Sequence, residues 1–181
     1  DMKHYLEHQA NWREKKLDLN SDYFKKMAIG QSPETFFITC SDSRISLSEM
    51  FGVAPGEFFV YRNVANQILT DDTSVLSALQ FAVENLKISK IVICGHSACG
   101  GVRAAMEDNV DKHLQDWLKP LSSDLKKHGL CEYESLAIQR NILLQKENLL
   151  KIDFVNEAVE KGLVIHTWLF DLSSGIVELV D

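Results

Sequence analysis

The spacing of apolar residues changes character along the chain. Residues 4–17 read as a helix, but a polar one, with Tyr5, Leu6 and Trp12 as its main apolar positions. A helix without a broad apolar face has little to give a core, and this one is expected to pack on a partner subunit. Ser21 and Asp22 offer caps for a second short helix, which Gly30 is placed to end. The period then shortens. Phe36-Phe37-Ile38-Thr39-Cys40 is a β-rich run without helical spacing, as expected of a buried strand. Phe58-Phe59-Val60-Tyr61 reads the same way after the turn signal Pro55-Gly56.

Helical spacing returns after Asp71, Asp72 and Thr73, where Val75, Leu76, Leu79, Ala82, Val83 and Leu86 fall on one face. A third strand, Ile91-Val92-Ile93-Cys94, ends at Gly95, and Gly100-Gly101 leads into a helical stretch over residues 102–107. Strands apolar at every position, separated by helices, signal a parallel sheet with both faces covered. Further helical stretches are expected at 114–118, 132–149 and 154–161. A strand at 163–169, the turn Ser173-Ser174-Gly175 and a strand at 176–180 then form a hairpin at the sheet edge. The fold class is α/β, with a mostly parallel central sheet flanked by helices. Length, 181 residues, and the absence of repeats or a Pro/Gly-rich linker suggest one domain over 1–181. Within it, 1–30 is a helical arm and 31–181 the α/β core.

Composition narrows the partners. Net charge is −7 with both signs interspersed, which argues against nucleic acid, and against an anionic membrane surface. No apolar run approaches a membrane span. The first residues carry no secretory pattern, so the cytoplasm is expected, with an organelle after leader removal left open. Four cysteines, Cys40, Cys94, Cys99 and Cys131, are too few for a disulfide scaffold and suit metal binding or catalysis in a reducing compartment.

Two loops carry the chemistry: Cys40-Ser41-Asp42-Ser43-Arg44 after the first strand, and His96-Ser97-Ala98-Cys99-Gly100-Gly101 after the third. Ligands of open parallel sheets bind beyond the carboxyl ends of strands, where two such loops can share one cleft. His96 and Cys99, three residues apart, can reach one ion, and Cys40 can join them from the neighbouring strand. Two thiolates and an imidazole leave a fourth tetrahedral position open, as in a catalytic rather than a structural zinc site. Each residue taken singly has a plainer reading. Cys40 and Cys99 can pair as a disulfide, and His96 can be an ordinary loop histidine. Together, with a carboxylate and a guanidinium beside Cys40, they favour a metal. Cys94, inside the apolar run, reads as buried, and Cys131 as incidental. Asp42 and Arg44 either pair with each other or leave Asp42 to fill the fourth metal position.

At these residues the sequence resembles the β-class carbonic anhydrases. The resemblance rests on the two loops and on the block Pro55-Gly56-Glu57-Phe58-Phe59-Val60-Tyr61-Arg62-Asn63-Val64-Ala65-Asn66, and runs from about Gln31 to Met106. It implies Cys40, His96 and Cys99 as ligands of one Zn2+ per chain, with Asp42 either paired with Arg44 or bound to zinc. It also implies substrate contacts by Gln31, Phe59, Val64, Phe81 and Gly100, with Gln31 reaching a partner's site. The assembly implied is a homodimer or a tetramer of dimers, with N-terminal helices over the partner subunit. One departure concerns the regulatory bicarbonate pocket of some bacterial members, which uses a tryptophan three residues before the first cysteine ligand. That position here is Phe37, and Ile45 follows Arg44, although Arg62 is retained; this counts against inhibition of that type.

The activity implied is reversible hydration of carbon dioxide to bicarbonate and a proton by a zinc-bound hydroxide. Two alternatives use the same ligands: a related hydrolase of carbon disulfide or carbonyl sulfide, and a catalytically silent, zinc-stabilised assembly module. A zinc deaminase is disfavoured by the lack of His-x-Glu and Pro-Cys-x-x-Cys patterns.

Overall fold

The computed structural model describes residues 1–107 and 110–181. It separates into two compact units, Asp1–Ser32 and Pro33–Asp181. The first holds helices α1 (Lys3–Leu19) and α2 (Tyr23–Met27), and no residue of either helix is buried. Trp12 meets Phe24 edge-on at 5.5 Å between ring centroids, and Lys16 lies over the Tyr23 ring. Asp22 precedes α2 without a side-chain cap bond, and the helix closes at Ala28, two residues short of the expected Gly30. Ala28 and Ile29 already bond back to Phe24 and Lys26, so no left-handed glycine is needed to end so short a helix.

In the second unit, among the described residues, five strands form one sheet in the order β2-β1-β3-β4-β5. They are β1 (Thr35–Cys40), β2 (Phe58–Asn63), β3 (Lys90–His96), β4 (Val164–Phe170) and β5 (Val177–Leu179). The first four are mutually parallel and β5 closes the edge as an antiparallel hairpin. Side chains alternate between the faces, which explains the uninterrupted apolar runs. Phe36, Ile38, Ile91 and Ile93 face the larger core, while Phe37, Val92 and Cys94 face the smaller one with Ile45 and Leu47. Each fully buried Ile or Phe contributes about 1.5–3 kcal/mol relative to exposure.

The helices of this unit are α3 (Leu47–Phe51), α4 (Thr73–Gln80), α5 (Gly100–Met106), α6 (Lys112–Lys127), α7 (Glu134–Leu150) and α8 (Asp153–Glu160). Asp72 caps α4 by accepting from the Ser74 N–H, and the helix continues as a π-turn over Phe81–Asn85. Three local differences from the sequence reading stand out. The strand expected to end at Gly95 continues to His96, so that histidine is held by the sheet. The helix at 114–118 runs on to Lys127 through Pro120, because Leu118, Leu121 and Leu125 give it a fully buried face. The short α3 and a 3-10 turn, Val64–Asn66, have no period long enough to register in the sequence.

Candidate metal centre

Cys40 ends β1 and His96 ends the adjacent parallel β3, where Thr39 pairs with Cys94. Their carboxyl ends therefore meet. Ser97 and Ala98 turn the chain, Ala98 at φ 54, and deliver Cys99 as the cap residue before α5. The sulfurs of Cys40 and Cys99 and a ring nitrogen of His96 all lie within 4.8 Å of one another, each on a buried residue. Cys94 points to the opposite face of the sheet, where burial pushes its thiol up to about 12. Strand alternation thus decides which cysteine of β3 and its neighbours serves the site.

The imidazole is aimed. Nδ1 of His96 lies 2.8 Å from the Ser97 carbonyl oxygen, which can only accept, so Nδ1 carries the proton and Nε2 presents its lone pair. Nε2 is buried without a hydrogen-bond partner. An unpaired ring nitrogen at that depth costs about 1–3 kcal/mol, which a metal bond would offset. The sulfurs fit the same conclusion. The Cys40 and Cys99 sulfurs lie within 4.8 Å of each other, and their interaction draws the Cys40 thiol below its ordinary range while raising that of Cys99. Two buried sulfurs this close, one of them readily ionised, fit a cation held between them.

Asp42 stands beside the cluster with Oδ2 3.7 Å from His96 Nε2. Both of its oxygens are held by Arg44, Oδ1 by Nε at 2.9 Å and Oδ2 by Nη2 at 2.7 Å. The guanidinium also reaches the Ala98 carbonyl, tying the two loops together. Hydrogen bonding to Arg44 holds the Asp42 carboxyl well below the usual range. Of the two arrangements open to Asp42, the structure has the one paired with Arg44.

Three supports hold the cluster from behind, of which the motifs singled out only Arg62. Arg62 reaches from β2 to the backbone carbonyls of Cys40, Asp42 and Ile45, so its guanidinium shapes the loop that follows Cys40. Ser97 takes an N–H from Leu172 on its hydroxyl and gives its own N–H to the Phe170 carbonyl, anchoring the histidine turn to the end of β4. Gln67, Asn141 and Gln145 form a buried amide network around the 3-10 turn. A signal for the last lay in the sequence: Asn141 and Gln145 sit four apart among the apolar residues of α7, where polar side chains need partners.

The remaining candidates are distributed. Val64 opens the 3-10 turn beside the cluster and is exposed. Gly100 is the first residue of α5 and has open space around it, whereas Gly101 is crowded by Ala65 and Val64. Phe59 pairs with Phe36, four positions before the Cys40–Asn63 pair, which is about 13 Å along the strand. Its ring lies 5.6 Å from that of Phe81, away from this chain's own cysteines. Gln31 belongs to the N-terminal unit and is exposed.

Fold and site together define an α/β protein with a Cys–His–Cys metal cluster at the ends of adjacent parallel strands. The family model described as carbonic anhydrase matches residues 35–177, and the chain belongs to that family. A carbonic anhydrase from Emericella nidulans is 33% identical over 183 residues, covering 96% of this chain and 80% of its own. Tetrameric β-carbonic anhydrases from Sordaria macrospora superpose with a TM-score of 0.92 at 32% identity, over 99% of this chain and 96% of theirs. The Coccomyxa β-carbonic anhydrase in complex with acetazolamide gives 0.90 at 28% identity, over 99% and 86%. These likenesses put the chain in the β class.

Proposed function

We propose that this chain catalyses the reversible hydration of carbon dioxide to bicarbonate, with one Zn2+ held by Cys40, His96 and Cys99. The observation that carries the reading is the buried, partnerless Nε2 of His96, facing two sulfurs with Asp42 alongside. Zinc bound there would supply the Lewis acidity that makes water nucleophilic near neutral pH. The chain's own residues do the rest. Arg44 keeps Asp42 ionised and fixes its orientation, so that the carboxylate accepts a hydrogen bond from a hydroxyl beside the cluster and directs its lone pair toward carbon dioxide. Val64 offers apolar surface for the unreacted gas, and the Gly100 N–H, at a helix start with no intrahelical acceptor, is a donor for an oxygen of the product.

Phe59, Phe81 and Gln31 belong in this reading to a cleft shared with a second copy of the chain. The strand distance between Phe59 and Cys40 supports it, as do exposed Phe81 and the N-terminal helices with no buried residue. A homodimer, or a tetramer built from dimers, follows. The domain reading remains one catalytic core, 31–181, with residues 1–30 as an arm. Four unpaired cysteines suit a reducing compartment, and we assign the chain to the cytoplasm. No helix among the described residues is long and apolar enough to cross a membrane.

Stopped-flow hydration of carbon dioxide by zinc-quantified protein tests the proposal. Rapid turnover at about one zinc per chain, lost together with the metal in Cys40→Ala, is expected. No turnover at any pH despite full zinc overturns it, and headspace assays with carbonyl sulfide and carbon disulfide would then separate the related hydrolase from a silent module.

A further inference from the structure

The peptide linking Val64 to Ala65 is hydrogen-bonded at both of its ends. Its N–H, on Ala65, donates to the Cys40 sulfur at 3.4 Å. Its carbonyl, on Val64, accepts from the indole N–H of Trp117 at 2.9 Å. Indole, peptide and sulfur therefore form one continuous chain of donors and acceptors. Such chains polarise from link to link, so a donor on the carbonyl strengthens the N–H at the other end.

The surrounding turn is costly to hold. Ala65 has φ 65, in the left-handed region that costs a residue of its kind about 1–2 kcal/mol, and it is followed by Asn66 at φ 47, a region asparagine tolerates better. Packing and hydrogen bonds over-determine it. The next carbonyl, that of Ala65, accepts from Gln67 at 2.7 Å and from Asn141 at 3.0 Å, and Ala65 is fully buried. Gly101 passes so close that a methyl group on it would stand 2.8 Å from the Ala65 Cβ. Strain kept in place by this many contacts points to a functional constraint, and the group the turn presents is the Ala65 N–H.

We propose that Trp117 is a positioning residue for the metal centre, acting through the Val64–Ala65 peptide on the sulfur of Cys40. The proposal rests on the reading of Cys40 as a metal ligand. A site with two thiolates is electron-rich, and an N–H donated to one sulfur withdraws part of that charge from whatever cation the sulfur holds. Trp117 touches neither metal nor substrate in this arrangement. It sets the strength and direction of the donor that does touch the ligand.

Protein loaded with 113Cd offers a readout separate from activity, because scalar coupling passes through an N–H···S–metal path. Coupling from 113Cd to the Cys40 β-protons tests the ligand reading, and coupling to the Ala65 amide proton tests the donor. Trp117→Phe removes the indole N–H while keeping an aromatic ring. It is expected to lose most of the Ala65 coupling while keeping that of Cys40, and to shift the thiolate-to-metal charge-transfer band of the Co2+ form to lower energy. Zinc should bind about tenfold more weakly, the lower end of the range for groups behind a ligand. Replacement of Trp117 by benzothienylalanine, which has the same shape without the N–H, carries the same test if Trp117→Phe does not fold. Cys40 coupling without Ala65 coupling in the unaltered protein overturns the proposal, as does an unchanged coupling and band in either variant. Loss of Cys40 coupling in the unaltered protein instead overturns the ligand reading.

Discussion

The Nε of Arg62 donates at 2.9 Å to the carbonyl oxygen of Cys40, a residue on the neighbouring strand. The two other nitrogens of the guanidinium continue along the same loop to Ile45 and Asp42, at 3.0 and 2.8 Å. One planar fork thus holds three carbonyls of a single loop, that of Asp42 shared with the Ile45 N–H, and it sets where Asp42 leaves the backbone. Retention of this arginine in a family with a regulatory bicarbonate pocket therefore has a structural reason here. With Phe37 fully buried against Phe51, Phe58 and Trp168, we expect no inhibition by bicarbonate of that type.

Arg62→Lys keeps the charge but loses the fork. A single ammonium group cannot serve three carbonyls spread over the loop, so Arg62→Lys and Arg62→Ala should resemble each other. Both are expected to lower zinc affinity and hydration rate by about 10- to 100-fold. Zinc content after dialysis against a calibrated chelator, with rates on the same samples, checks this. A lysine variant equal to the parent would show that charge, and not the fork, is what Arg62 supplies.

Asp42→Asn should leave the three ligands intact and retain most of the metal. The amide cannot act as a two-oxygen acceptor for Arg44, and its NH2 would face the cluster. The expected loss in hydration rate is about 100-fold, the lower end for a misplaced acid–base group. Since Arg44 holds the Asp42 carboxyl well below the ordinary range, the carboxylate stays charged throughout neutral pH. The pH dependence of the parent's rate near neutrality must then arise elsewhere. A carboxyl stretch assigned to Asp42 by infrared difference spectroscopy, titrating between pH 5 and 8, would contradict this.

How much of this was legible in the sequence follows from what a pattern can encode. Strands buried on both faces write themselves as apolar runs, so β1 and β3 are visible, and ligand-type residues at their ends mark the cluster. Pairing of β1 with β3 is not written locally; it emerges from the sheet order, which places β1 between β2 and β3. Trp117 and Ser97 were invisible for the same reason, since each acts through a backbone group distant in sequence. The last turns of α6 were hidden by Pro120, a residue that ordinarily breaks helices, while the buried leucines around it outweigh the missing N–H.

Acid sensitivity should appear away from the site. Asp124 on α6 accepts two hydrogen bonds from Arg140 on α7, at 2.8 and 2.9 Å, and both side chains are mostly buried. Bonding to Arg140 lowers the Asp124 pKa in the folded state. Because the folded value lies below the unfolded one, the stabilisation is complete above the unfolded pKa of about 3.9 and fades as pH falls through the folded value. Asp124→Asn should cost about 1–3 kcal/mol at pH 7. The gap to the parent should narrow below about pH 4. Urea unfolding of both proteins across pH 3–7 measures it, and a gap that widened in acid would reverse the assigned sign.

Gly95 offers a test of how tightly β3 carries His96. A Cβ placed there would stand 2.7 Å from Cγ1 and 2.8 Å from Cδ1 of Ile142, on the helix that also bears Asn141. Contacts that short force the Ile142 side chain, which is fully buried, or the strand or helix to move, and the strand ends one residue later at His96. Gly95→Ala is therefore expected to destabilise the fold by about 1–3 kcal/mol, the usual cost of overpacking. It should also weaken zinc binding, because the displaced end of β3 carries a ligand. Ile142→Ala alone leaves a cavity and should cost about 2–5 kcal/mol. Combined with Gly95→Ala, it removes both atoms that the new methyl would strike. The double variant should be clearly more stable than the sum of the two losses, and it should regain the zinc affinity of the parent. Strict additivity in thermal unfolding would mean that the strand accommodates alanine without pressing on α7, and that the glycine is not required for the close approach of β3 and α7.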